Sequence, residues 1–245
     1  MTWWTARDRI QTSKLRSLSY LLAWPGMDAE TFLNPERRRA GPRVSEWIWA
    51  SAKTAFGVLL IWGIARRIPG EHMLLRGWIG LLGLIFLLHF GSFQLIALCW
   101  QTMGVDAQPI MAKPMESRTL SEFWGKRWNL GFRQLAHDFI FHPFYKRIGI
   151  GAAGFVVFVV SGLIHDLVIS SPARAGYGLP TAYFVIQGLG VAAERSAMGR
   201  RLGLQSGLRA RIFMIAVTAG PAFWLFHPPF VQRVIIPFMQ AIHAL

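Results

Sequence analysis

The chain has 245 residues, of which 53% are hydrophobic, and its 26 basic and 12 acidic residues give a net charge of +14. This apolar content excludes a disordered chain, and the single cysteine, Cys99, excludes a disulfide framework. Only 16% of the residues are charged, against about 25% in soluble domains, and the apolar residues form long runs, which disfavours a conventional soluble domain.

Six apolar runs set the predicted organisation of the chain, because crossing a bilayer core takes about 20 apolar residues. We predict that five of them are spans and that the last is a short amphipathic or half-spanning segment. The runs are 47–65, 77–100, 148–169, 181–193 (short, and extending back towards Tyr177), 212–226 and 231–245. The predicted fold is therefore an all-α, polytopic transmembrane helix bundle with about five to six spans and additional interfacial helices.

The basic residues alternate along the chain, with 8, 3, 7, 1, 5 and 1 of them in successive segments outside the spans. This alternation follows the positive-inside rule and predicts that the N-terminus, segment 101–147 and segment 195–211 are cytoplasmic. It also accounts for the net charge, so we predict no nucleic-acid partner. Residues 17–24 lack the pattern of a cleaved signal and predict a membrane-surface helix that ends at Trp24.

We predict a single membrane domain over residues 1–245, with no internal repeat or low-complexity tract. Within it, residues 1–46 form a basic cytoplasmic or interfacial segment, and residues 101–147 form a cytoplasmic amphipathic segment.

Ionisable residues within apolar runs are functional candidates, because burying them in a membrane is costly. His165 follows about fifteen apolar or small residues, where burial favours a neutral imidazole of the kind that a general base requires. From composition alone, a His that serves only helix packing is the favoured interpretation of both His165 and His89, and the general base is the alternative for His165. Asp166 is adjacent to His165 but points about 100° away from it on a helix. The full set of candidates is Lys53, His89, His165, Asp166 and Glu194.

Segment 117–146 is the second region of interest, because it combines aromatic and basic residues. Thr119 and Glu122 form a candidate capping box at a helix start. We expect an amphipathic helix, which is most often an interfacial helix. The alternative is a cytoplasmic lip that receives a phosphorylated cofactor, with Asn129 turned towards the membrane interior. The apolar stripe of this helix is Trp124, Trp128, Phe132, Leu135 and Phe139, and its basic residues off the stripe are Lys126, Arg127 and Arg133.

Other chemistries leave no sequence pattern. The seven histidines have no zinc-binding spacing, so no metal site is predicted, and neither a nucleophile elbow nor a phosphate-binding glycine loop is present.

Two motifs resemble a known family. Ser121-Glu-Phe-Trp-Gly-Lys-Arg-Trp-Asn129 resembles the signature of the wax synthase-like branch of the membrane-bound O-acyltransferases (MBOAT), and Ser161-Gly-Leu-Ile-His165-Asp resembles its second signature. The resemblance extends over roughly residues 20–230. Three weaker matches support it: Trp24-Pro-Gly-Met27, His142-Pro143 and Thr181-Ala-Tyr-Phe…Glu194.

The resemblance implies an acyl-CoA-dependent O-acyltransferase that acylates a long-chain alcohol or another lipid hydroxyl. It implies that His165 is the general base and that Asn129 positions the acceptor or polarises the thioester carbonyl. No cofactor would be bound permanently, since acyl-CoA is a co-substrate. The donor would enter from the cytoplasmic side and a lipid acceptor laterally. The substrate-binding residues would be Trp124, Lys126, Arg127, Trp128 and Arg133.

Several alternatives stay open from sequence. The acceptor could be a polar or secondary-metabolite hydroxyl. The chain is shorter than typical family members, which also leaves open a degenerate scaffold, a transporter component or a homo-oligomer. Where family members often have Glu after the His, this chain has Asp166. The expected location is the cytoplasmic membrane in a bacterium or the endoplasmic reticulum in a eukaryote.

Overall fold

A computed structural model describes Ala6 and residues 10–26, 28–37 and 39–245, and every regular element in these ranges is helical. The helices are α1 (Lys14–Ala23), α2 (Ala29–Leu33), α3 (Val44–Arg67), α4 (Gly70–Thr102), α5 (Leu120–Glu122), α6 (Leu130–Ala173), α7 (Leu179–Arg195), α8 (Ala197–Arg201), α9 (Gly207–Leu225) and α10 (Ile236–Ala241). Shorter helical turns are Pro114–Glu116 before α5, Phe123–Arg127 after it, and Pro228–Phe230 and Val231–Ile235 before α10.

Four of these helices, α3, α4, α6 and α9, are long and apolar enough to cross a membrane. They contain the predicted spans 47–65, 77–100 and 148–169 and nearly all of 212–226, so the all-α, polytopic prediction is confirmed. The run 181–193 lies in α7, which extends back to Leu179 as expected but has only 17 residues. At 1.5 Å per residue α7 is about 25 Å long, slightly less than the hydrocarbon core. The run 231–245 forms short helical segments that end at Ala241.

The N-terminal helices pack against the end of α4. Phe32 of α2 is fully buried, and its ring contacts Tyr20, Trp24 and Trp100. The indole Nε1 of Trp100 donates a hydrogen bond of 3.1 Å to the carbonyl of Ala23.

The helix α1 ends one residue before Trp24, as predicted. Its leucines on the other side are exposed, which is the arrangement that an interfacial helix requires. These are Leu15, Leu18, Leu21 and Leu22. Arg7, Arg9 and Arg38 of the basic N-terminal segment, and Met27 of the first weak motif, lie outside the described residues.

Lys53, one of the ionisable candidates within the apolar runs, joins α3 to α4. Its Nζ donates a hydrogen bond of 2.5 Å to Oε1 of Gln94. A buried amine gains more from a nearby amide oxygen than from exposure through a long side chain, because desolvation without a partner is costly.

The helices α6 and α7 form the frame of the site. Asp166 joins them: its Oδ1 accepts a hydrogen bond from the Gly178 amide (2.9 Å), and its Oδ2 accepts one from the Thr181 amide (3.1 Å) and another from the Thr181 hydroxyl. The carboxylate therefore satisfies amides at the N-terminal end of α7, where a negative charge is favourable. Asp166 does not contact His165, consistent with their divergent directions on the helix.

Candidate active site

A cavity of about 1000 Å³ lies between the segment after α5 and the helices α6 and α7. Both His165 and Asn129 line it, so the fold brings together two residues that are 36 positions apart in sequence. The lining combines aromatic side chains with polar groups from α5, α6 and the end of α7. The aromatic side chains are Trp124, Trp128, Phe132, Phe141, Phe155, Phe158 and Phe184, and the polar ones include Ser121, Arg133, His137, Asp138 and Arg195.

His165 is held with one ring nitrogen directed at its own helix. Its Nδ1 lies 2.7 Å from the carbonyl oxygen of Ser161, one turn earlier in α6. A carbonyl can only accept, so the hydrogen of the neutral ring is on Nδ1 and the lone pair is on Nε2. The ring also rests on Phe184, with 4.4 Å between the ring centroids. This is the tautomer that a general base acting through Nε2 needs.

Asn129 begins α6 in a left-handed backbone conformation, with φ of 40°. Its Oδ1 accepts a hydrogen bond of 3.1 Å from the amide of Phe132 and thus caps the helix. Asparagine is one of the few residues apart from glycine that adopt this conformation readily. Because Oδ1 is occupied, the free group is the Nδ2 amide, which donates to no other described residue. Asn129 therefore offers a hydrogen-bond donor to the cavity.

The left-handed turn at Asn129 contradicts the prediction of one amphipathic helix through segment 122–140. The helical turn after α5 ends at Arg127, and a new helix begins at Leu130. Trp124 and Trp128 therefore lie before the break, whereas Phe132, Leu135 and Phe139 lie after it. The stripe spacing was real in the sequence, but a single residue with positive φ redirects its two halves.

Segment 110–112 braces the turn, and sequence reasoning missed it. The amide of Ala112 donates to the carbonyl of Arg127 (2.8 Å), and the amide of Leu130 donates to the carbonyl of Ile110 (2.9 Å). The Asn129 amide itself contacts Sδ of Met111 at 3.3 Å. No motif in the sequence marks this pairing, because it is made by backbone atoms.

The three basic residues of the predicted substrate-binding set differ in their position relative to the cavity. Arg133 lines the cavity, and its Nη1 donates a bond of 2.6 Å to the carbonyl of Gly125. Lys126 is exposed and lies outside the lining. Arg127 also lies outside it, because Glu122 holds its guanidinium at 2.7 Å and the Glu116 carboxylate lies 3.6 Å away.

Arg195 is a second basic residue of the lining that the sequence analysis did not select. Its Nε donates a hydrogen bond of 3.0 Å to Oγ of Ser121. The neighbouring Glu194 is 2% exposed, and its carboxylate accepts bonds from the amides of Leu120 (2.6 Å) and Ser121 (3.2 Å). The carboxylate of Glu194 thus stabilises the N-terminus of α5 and joins it to the end of α7.

The predicted capping box is half formed. Oγ1 of Thr119 accepts from the amide of Glu122 at 3.0 Å, as predicted, but the Glu122 carboxylate accepts from the amide of Arg118 rather than that of Thr119. The Arg118 amide, followed by the Arg127 guanidinium, lowers the pKa of Glu122 despite some desolvation, so this carboxylate is ionised at neutral pH.

Lys53 and His89 lie outside the cavity lining. His89 packs on Phe93, with 5.5 Å between the ring centroids, and its Nδ1 has no partner among the described residues. The same described part of the chain contains no group of three or more His, Cys, Asp or Glu residues arranged to hold a metal ion.

Comparison with known proteins gives the same family as the two motifs. Residues 107–186 match the sequence model of the membrane bound O-acyl transferase family. The chain is 28% identical over 54% of its length to a long-chain-alcohol O-fatty-acyltransferase of Simmondsia chinensis, covering 41% of that protein. It is 27% identical over 74% of its length to probable long-chain-alcohol O-fatty-acyltransferase 9 of Arabidopsis thaliana, covering 58% of it.

The chain thus spans roughly two fifths to three fifths of the length of these relatives. No solved structure gives a significant match. The matched segment includes Asn129, His165 and the cavity walls between them. Residues 107–186 are therefore similar to the membrane bound O-acyl transferase family, and the chain is similar to long-chain-alcohol O-fatty-acyltransferases, the wax synthase-like proteins of that family.

Proposed function

We propose that the protein transfers a fatty acyl group from acyl-CoA to the hydroxyl of a long-chain alcohol, forming a wax ester. The observation that carries the proposal is the shared cavity in which the Nε2 lone pair of His165 and the Nδ2 donor of Asn129 are both available. The names of the relatives support an alcohol acceptor, and the aromatic wall of the cavity suits an apolar chain.

The chemistry needs only these two groups and the substrates. Nε2 of His165 takes the hydroxyl proton as the alcohol oxygen attacks the thioester carbon. The Nδ2 amide of Asn129 donates a hydrogen bond to the carbonyl oxygen as it becomes an oxyanion. Collapse of the tetrahedral intermediate breaks the carbon–sulfur bond, and the imidazolium returns its proton to the CoA thiolate. No permanently bound cofactor takes part.

The phosphates of the donor would bind at the polar rim, by which we mean the part of the cavity lined by Arg133 and Arg195. Arg195 follows Phe184 by eleven residues on α7, so the rim lies about 16 Å from the ring that supports His165. A thioester at the end of a long flexible arm can cover such a distance while its phosphates stay in water. We assign this attraction to Arg133 and Arg195, with exposed Lys126 in support, because Arg127 is neutralised by Glu122.

The proposal also includes the orientation of the protein in the membrane and its cellular location. The rim would face the cytoplasm, with the N-terminus on the same side, in the cytoplasmic membrane of a bacterium or the endoplasmic reticulum of a eukaryote. The lipid acceptor would enter laterally from the membrane, and a homo-oligomer stays open.

The test is ester formation from labelled palmitoyl-CoA in membranes that contain the wild-type chain or H165A. Loss of a general base should lower the rate about 10²- to 10⁴-fold. The matched control is H89A, which removes the same side chain from a membrane helix but outside the cavity, and should retain the wild-type rate.

The acceptor panel should contain long-chain alcohols, sterols, diacylglycerol and small polar hydroxyl compounds. Preference for long-chain alcohols would support wax ester synthesis, whereas preference for a polar acceptor would assign the chain to that other class. Full activity of a well-folded H165A would contradict the mechanism. Absence of product from the wild type with every donor and acceptor would favour a scaffold.

A further inference from the structure

Gln187 has a fully buried side-chain amide in the apolar middle of α7, and both the oxygen and the nitrogen of this amide form hydrogen bonds. Its Oε1 accepts a hydrogen bond of 3.2 Å from the indole Nε1 of Trp124. Its Nε2 donates a bond of 2.8 Å to the carbonyl of Val217 in α9. Burying an amide among apolar residues is costly unless its oxygen and its nitrogen both have hydrogen-bond partners. The two partners of Gln187 therefore fix the orientation of the amide.

Trp124 is the residue through which this amide reaches the cavity. The indole ring is in edge contact with Phe158 of α6 (5.8 Å between centroids) and is tilted against Phe184 of α7 (5.6 Å). Phe184 in turn supports the ring of His165. A continuous set of contacts therefore runs from the α9 backbone through Gln187 and Trp124 to the imidazole.

Gln187 itself does not line the cavity. Of its two hydrogen-bond partners, Trp124 lines the cavity and Val217 does not, so we expect the effect of Gln187 on the reaction to pass through the indole. The indole has no other acceptor among the described residues, so without Gln187 its nitrogen would be left unpaired or the ring would rotate.

We infer that Gln187 is a positioning residue, which fixes the indole of Trp124 as the wall against which the reacting ends of the substrates meet His165. The inference rests on the proposed acyl transfer. Misplacement of reacting groups by a fraction of their contact distance lowers the rate of the chemical step more than it lowers binding. The role of Gln187 should thus appear in kcat rather than in KM for the donor.

The variant Q187M tests this, because methionine is of similar length but makes neither hydrogen bond. We expect kcat to fall roughly tenfold, with KM for palmitoyl-CoA changed by less than about twofold. W124F removes the indole donor from the other side. If Gln187 acts through Trp124, the double variant Q187M/W124F should be no slower than the slower single variant, because the two changes break the same contact.

Tyr183 provides a matched control one turn earlier on α7. Its hydroxyl donates a hydrogen bond of 3.1 Å to the carbonyl of Thr218, the residue after Val217. Y183F therefore removes a comparable bond between α7 and α9 without touching Trp124. We expect this variant to keep the wild-type kcat. Equal losses in Y183F and Q187M would overturn the inference, as would multiplicative losses in Q187M and W124F.

A spectroscopic measurement separates failure of the inference from failure of the proposed function. In protein labelled with ¹⁵N-tryptophan, the indole signal that is absent from W124F belongs to Trp124. That signal should shift in Q187M and stay in place in Y183F. An unmoved signal in Q187M would overturn the positioning role even in an active enzyme, whereas an inactive wild type with a shifted signal would place the fault in the proposed reaction.

Discussion

Asn129 has two tasks, one for each polar atom of its side-chain amide. The oxygen caps α6, and the nitrogen is directed to the cavity in which we expect the oxyanion to form. A simple truncation would remove both functions together, and would also place a less tolerant residue at φ of 40°. The two tasks can be separated only by a substitution that keeps the acceptor and removes the donor.

N129D is that substitution. Aspartate accepts the same bond from the Phe132 amide and tolerates the left-handed conformation. The free energy of unfolding, followed by the melting temperature, should therefore fall by no more than about 1 kcal/mol. Without the donor, and with a negative charge near the developing oxyanion, kcat should fall about 10²- to 10³-fold. A rate within threefold of the wild type, measured on folded protein, would remove Asn129 from the mechanism.

Sequence reasoning identified the residues whose chemistry is unusual for their surroundings. His165 was a candidate because a polar ring in an apolar run is conspicuous. Gln187 and Arg195 were missed for the opposite reason, since an uncharged glutamine within an apolar run and an arginine just after its end are both common. Their importance depends on what they face across the fold, and Trp124 and Ser121 are more than 60 residues away from them in the chain.

At the level of helices, α6 is the element that departs most from its predicted form. It is helical from Leu130 to Ala173, but Gly149 has φ of 82° and ψ of 163°, which interrupts the helix. This region of backbone space is essentially restricted to glycine. The predicted span 148–169 therefore starts next to the interruption, and the preceding segment 130–148 is free to run in another direction.

The variants G149A and G151A form a matched pair for this interruption. A Cβ atom at either position would meet nothing within 4 Å, so only the backbone distinguishes them. G149A should destabilise the protein by about 1–3 kcal/mol because of its positive φ. G151A should stabilise it by about 0.5–1 kcal/mol, since alanine is favoured over glycine inside a helix. Melting temperatures in detergent that change in the same direction for both variants would contradict the interruption at Gly149.

The helices that could be predicted are those with long apolar periodicity, such as α3 and α4. The failures lie where backbone conformation changes at one residue. Asn129 ends a stripe that looked continuous from Trp124 to Phe139. Asparagine tolerates a left-handed turn, but the residue type alone does not predict one. Hydropathy records the burial of side chains and contains no information on the sign of φ.

At the scale of the whole molecule, three segments of the sequence hold most of the basic residues. Segments 1–46, 101–147 and 195–211 hold 20 of the 26 basic residues. Contacts join these segments, from Arg39 to Gln108 and from Ser121 to Arg195. The sparsely charged loops meet elsewhere, where Arg233 donates to the carbonyl of Ala173 and Ala65 shares a cluster with Phe230. These contacts thus join the segments that the charge alternation assigns to one side of the membrane, and their cytoplasmic orientation stays a prediction.

Cysteine labelling tests which end faces the cytoplasm. Cys99 is the only cysteine and is exposed, so the variants are made in a C99A background. R118C lies in the basic segment 101–147, and G70C lies where α4 begins, next to the short loop after α3. A membrane-impermeant thiol reagent added to intact cells, or to sealed vesicles that expose the non-cytoplasmic face, should label G70C but not R118C. Reversed labelling would invert the orientation.

The bonds from Leu120 and Ser121 to Glu194 also bear on how the polypeptide acquires its shape during synthesis. The carboxylate that satisfies the start of α5 is made 74 residues after the amide it accepts from. Residues 107–186, which match the sequence model of the family, end before both Gln187 and Glu194. On the ribosome, the start of α5 is therefore expected to settle only after α7 has emerged, and residues 107–186 produced alone would lack both Glu194 and Gln187.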